Sequence, residues 1–110
     1  MPTRYTIKYE KQARSDVSKE YRWSKQNWGL KHARDFFAKI DGIIETLAEN
    51  PHLYRVHHTD DGLEYHLVKI KGISIAYDIN DTTKTVTILG FIGKNRIQDL
   101  NEILGSRLKN

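Results

Sequence analysis

Six residues in the second half of the chain are candidates to move protons or hold anions together. Glu64 and His66 stand two apart in the strand-like run from Leu63 to Ile70, so they share a face. A carboxylate and an imidazole are both general acid–base groups, and the imidazole titrates near neutrality. Lys69 and Lys71 follow in the same stretch, and Lys94 and Arg96 come just after the last apolar run. Such cations pair with phosphate or carboxylate groups. His57 and His58 invite a metal reading, but neighbours on a strand point to opposite faces, so one centre cannot easily use both. No metal site and no cofactor are expected. Trp23 and Trp28 could stack on nucleobases, although their helical spacing with Val17 and Tyr21 also suits packing. The cations have plain alternatives too. Lysines discourage aggregation at sheet edges, and Arg96 can pair with Asp99 or Glu102.

The 110 residues are expected to form one domain, residues 1–110, with a single modest core. Composition is that of a folded, charge-rich chain, 38% hydrophobic and 29% charged, with a net charge of +4. A basic balance favours polyanionic partners such as nucleic acid or an acidic protein segment. Cysteine is absent, which excludes disulfides, thiol catalysis and zinc–thiolate sites. No stretch approaches the ~20 apolar residues of a membrane span, and the N-terminus lacks the apolar run of a signal peptide. A cytoplasmic protein with no membrane partner is expected.

The elements that must position these side chains follow from hydrophobic period. Tyr5 to Tyr9 alternates and predicts a short strand. Ala13, Val17, Tyr21 and Trp28, with Ser24, mark one face of an amphipathic helix that Gly29 interrupts. Leu30, Ala33, Phe37, Ile40, Ile44 and Leu47 mark a second, stopped by Asn50-Pro51. Two helices broken at one glycine predict an αα-hairpin, and its broad apolar surface requires a sheet to pack on. Leu53 to His58 predicts a short or edge strand. Leu63–Ile70, Ile73–Ile79 and Thr85–Ile92 are three strands with short polar connections, hence antiparallel neighbours. In the middle one Ile73, Ile75, Tyr77 and Ile79 face the core, and Ser74, Ala76 and Asp78 face away. Asn95, with Gln98 three residues on, predicts the cap of a last helix carrying Ile97, Leu100, Ile103 or Leu104, and Leu108, with Lys109 at its end. The order is β-α-α-β-β-β-β-α. The fold class is α+β: a small, mainly antiparallel sheet packed against an N-terminal helical hairpin, with a C-terminal helix.

That order and several local patterns resemble the RelE/ParE superfamily of toxins from type II toxin–antitoxin pairs. The resemblance rests on Ala13-Arg14-Ser15-Asp16-Val17, Trp28-Gly29-Leu30, the Ala33…Phe37…Ile40…Leu47…Pro51 series, Ala76-Tyr77-Asp78-Ile79, and Val86 to Lys94. It implies one of two targets. RelE-like members enter the ribosomal A site and cut mRNA, whereas ParE-like members inhibit DNA gyrase without cutting RNA. Both are held inactive by a cognate antitoxin, here expected across the helical hairpin and sheet edge. Metal-free RNA cleavage requires a base, an acid and cations around the phosphate. The resemblance casts Glu64 or His66 as the proton-transfer group, Lys94 and Arg96 as catalytic cations, and Lys69 and Lys71 as RNA-binding residues. One position departs from the pattern. Ser74 stands where many RelE-like enzymes carry an arginine, and a hydroxyl cannot replace a guanidinium that clamps phosphate in bidentate fashion. Ribosome-dependent mRNA cleavage is the leading expectation. The alternatives are gyrase inhibition by binding alone, or a degenerate toxin that only binds antitoxin.

Overall fold

A computed structural model describes residues 4–108, the side chain of Asn95 apart. Strand β1 (Thr6–Tyr9) leads into α1 (Lys11–Trp28) and α2 (Leu30–Glu49), and a 3-10 turn (Pro51–Leu53) leads to β2 (Val56–His58). Strands β3 (Glu64–Ile70), β4 (Ile73–Asn80) and β5 (Thr85–Gly93) follow, then a 3-10 turn (Lys94–Asp99) and α3 (Leu100–Leu108). This is the α+β order that hydrophobic period predicts.

Local chemistry sets each boundary. The Glu10 carboxylate accepts the Gln12 amide at 2.7 Å and caps α1, satisfying one of the donors a helix start leaves open. Gly29 donates to the Lys25 carbonyl at 3.0 Å and accepts from the Ala33 amide at 3.1 Å. Its φ of 90° turns the chain between the two helices, which a side chain would hinder. The β3–β4 connection has two residues, Lys71 and Gly72, with φ of 45° and 85°, and Ile70 pairs with Ile73 across it. Positive φ at both central positions is the requirement of the tight hairpin turn whose twist matches the strands.

The sheet order is β1-β5-β4-β3-β2. β2 to β5 are antiparallel neighbours, and β1 joins β5 in parallel from Thr6↔Thr85 to Tyr9↔Ile88. The parallel pairing follows from the long helical crossover between β1 and the later strands. One face of the sheet packs Val68, Ile73, Ile75, Tyr77, Val86, Ile88 and Phe91 against Phe36, Ile40, Ile44 and Leu47 of α2 and Ala13 of α1. Each fully buried chain of this kind stabilises the fold by roughly 1.5–3 kcal/mol. The Tyr77 hydroxyl donates to the Pro51 carbonyl at 2.8 Å, and burial holds that phenol well above its ordinary pKa.

The second face is not open along its length. Tyr65, Ala76 and Leu89 pack against Leu104 of α3, with Leu67, Leu100 and Leu108 at the margin. Hence β4 is buried on both sides from Ile73 to Tyr77. The last helix also begins later than Asn95 predicts. Gly93 takes the cap position of the 3-10 turn, Asn95 lies inside that turn, and regular helix starts at Leu100. Lys109 lies outside the described residues.

Candidate functional site

The expected site residues fall into separate environments. Glu64 is exposed at the start of β3, its carboxylate 3.6 Å from His58 Nε2. His66 is half-buried and shares the hairpin-side face of β3 with Val68 and Ile70. Its Nδ1–H donates to the Tyr54 carbonyl at 2.7 Å, and its ring stacks on Tyr77, centroids 5.1 Å apart at 18°. His52 stands edge-on to it at 6.2 Å and reaches Asp81 at 2.9 Å. The Tyr5 hydroxyl donates to the same carboxylate. These two contacts, Tyr5 first, hold Asp81 below its usual pKa.

Lys69 points the other way. It pairs with Ser74 across β3–β4 and shares the α3-side face with Tyr65 and Leu67. Ser74 does face opposite to Tyr77, but it is buried rather than presented to solvent. Lys71 sits in the hairpin turn beside Lys39. Lys94 is exposed after β5. Arg96 pairs with Asp16, Nη1 to Oδ1 at 3.7 Å, in place of the Asp99 or Glu102 contact that its position on the chain suggests. His66 and Lys69 therefore lie on opposite faces of the sheet, and the Arg96 guanidinium is engaged with α1.

Two features escape a reading by period. The first is a buried ion pair. Arg107 Nη1 donates to Asp16 Oδ2 at 2.6 Å and to the Leu89 carbonyl at 2.8 Å, and Asp16 Oδ2 accepts the Phe91 amide at 3.1 Å. β1 ends opposite Ile88, so this pair satisfies the edge of β5 that β1 leaves unpaired. Arg107 Nε also donates to Gln12 at 3.0 Å. A Cβ at Gly90 would collide with Arg107 Nη1. An isolated glycine inside a β-branched strand is the sequence signal of such a close approach. The second feature is His57. It stacks on Tyr65, centroids 5.5 Å apart at 20°. Burial first, then the positive charges of Arg55, His66 and Lys69, lower its pKa. The β2–β3 register sets His57 opposite Tyr65, on the sheet face that also carries Lys69.

Among known families, residues 7–97 match the model described as ParE toxin of type II toxin-antitoxin system, parDE. The chain belongs to the ParE toxin family. No curated protein matches it. Of solved structures, a chain of the RelBE2 toxin–antitoxin complex from Mycobacterium tuberculosis is similar at 19% identity and a TM-score of 0.60, covering 82% of this toxin and 98% of that chain. At that identity the likeness shows a shared fold. No helix among the described residues of the toxin is long and apolar enough to cross a membrane.

Proposed function

We propose that this toxin acts as ParE-like members of the superfamily do, inhibiting DNA gyrase by binding and without a reaction of its own. The dispersal of the acid–base and cationic residues carries this reading. His66 is committed to Tyr54 and Tyr77, Lys69 lies on the opposite face, and Arg96 is held by Asp16. Ser74 is buried where a phosphate clamp would have to protrude. Proton transfer needs a base within hydrogen-bond reach of its substrate, and cations must meet at one phosphate. The cognate antitoxin binds across the helical hairpin and the outer edge of the sheet. One of the two outer strands is β2, with Val56 exposed on it, which suits strand addition.

One observation favours a second reading, ribosome-dependent mRNA cleavage. His57 shares a sheet face with Lys69, burial first and then the Arg55 charge lower its pKa, and an imidazole can act as a general base. A paired assay separates the two. The purified toxin is expected to inhibit supercoiling by gyrase and to leave ribosome-bound mRNA intact. Cleavage of mRNA that His57→Ala abolishes, with supercoiling unaffected, would replace the first reading by the second.

A further inference from the structure

The tip of the helical hairpin carries exposed aromatic surface that the core does not use. Trp23 and Trp28 are 51% and 41% exposed, their rings 5.3 Å apart and edge to face. Trp28 leans on Phe36 at 5.7 Å and on His32 at 6.1 Å. These three form one wall of a cleft of about 430 Å³ that Asp35, Lys39 and Lys71 complete. The volume falls within the ~300–1,000 Å³ range of small-molecule sites.

Lys39 and Lys71 form the cationic side of the cleft. Lys71 occupies a left-handed backbone position, φ 45°, as the tight β3–β4 turn requires, where glycine or asparagine is the usual choice. Hydrogen-bond proximity to Lys39 first, and then the like charge, push the Lys71 pKa below the ordinary lysine value. Two lysines and an exposed indole thus share the cleft with one carboxylate, that of Asp35.

We propose that the cleft between Trp28 and the Lys39–Lys71 pair binds a phosphate monoester carried on a planar base, the chemistry of a nucleotide. The two ammonium groups hold the phosphate, and the indole stacks the base. Asp35 accepts hydrogen bonds but donates none when ionised, so it favours a ligand that also carries sugar hydroxyls. The ligand is either a free nucleotide or the 5′ end of a single strand. This site goes beyond gyrase inhibition and does not depend on it.

The test follows the Trp28 indole N–H by NMR in the full chain, with Trp23→Phe to assign the signal, during titration with adenosine 5′-monophosphate. A saturable shift is expected, with weaker responses to adenosine and to inorganic phosphate alone. Lys71→Gly is expected to weaken binding about tenfold, the loss of one charge-assisted contact, while the melting temperature holds or rises because glycine suits the turn. Displacement by a 5′-phosphorylated oligothymidylate, and not by its 5′-hydroxyl counterpart, assigns the site to strand ends; its failure to displace assigns it to free nucleotides. No shift with the monophosphate, an unchanged affinity in Lys71→Gly, or a response only to a glutamate-rich peptide would each overturn the proposal.

Discussion

Glu20 shows how one side chain on α1 is governed by what packs around it. Burial first, then the neighbouring Asp16 charge, raise its pKa above the ordinary glutamate value, and Arg96 only partly offsets them. The folded chain therefore holds this proton more tightly than the unfolded chain does. The group's stabilising contribution is present in full below the unfolded pKa and is lost as pH rises through the folded one. Glu20→Gln is expected to raise the melting temperature at neutral pH, and the advantage should close as pH falls below the ordinary carboxylate range. Thermal melts across that window check it. An advantage independent of pH would show that the carboxyl is not penalised by folding.

Among the elements, those with unbroken period were legible and those held by polar contacts were not. Gly29 and Asn50-Pro51 mark their breaks because φ and the missing proline N–H act locally. The alternation from Ile73 to Ile79 likewise reads directly as a strand. Asp16 was not legible as a buried residue. An aspartate between Ala13 and Val17 looks like the solvent side of α1 until Arg107, 91 residues away, is brought over Gly90. His66 misleads for a related reason. Alternation says that it shares a face with Val68, but not that Tyr54 and Tyr77 close over that face. The Asp16–Arg107 pair ties α1, β5 and α3 together, and its removal should be asymmetric. Arg107→Ala leaves the buried carboxylate with the Phe91 amide and, as its remaining cation, the more distant Arg96, an expected cost of about 3–5 kcal/mol. Asp16→Asn combined with Arg107→Met keeps an acceptor for the Phe91 amide and removes both charges, so it should cost markedly less than the single change. Urea denaturation of the set decides this. If Arg107→Ala costs under about 1 kcal/mol, a value typical of exposed pairs, the pair does not join these elements.

For the whole molecule, two hydrophobic clusters share one sheet, and β4 lies between them. The cluster under the helical hairpin is the larger, and its pattern dominates the sequence. The cluster under α3 depends on a helix with nine described residues, too short to be stable by itself in water. α3 is therefore held by what it covers, and what it covers depends on α3. Removing residues 100–110 would expose Tyr65, Ala76 and Leu89, forfeit the burial of Leu104, and strand the Asp16 carboxylate. Leu104 contributes roughly 1.5–3 kcal/mol and the ion pair's loss costs about 3–5. Their sum is comparable with the ~5–15 kcal/mol that a small domain has in total. The truncated chain is expected to lose its cooperative thermal transition and to bind a hydrophobic dye through the uncovered face. Adding Arg107→Ala to an already truncated chain is impossible, so the control is Leu104→Ala in the full chain. It should keep a cooperative transition at lower temperature, since it creates a cavity but leaves the ion pair intact. A truncated chain that still melts cooperatively near the full-length temperature would mean that the hairpin and sheet are self-sufficient, and that α3 is an appendage to the fold.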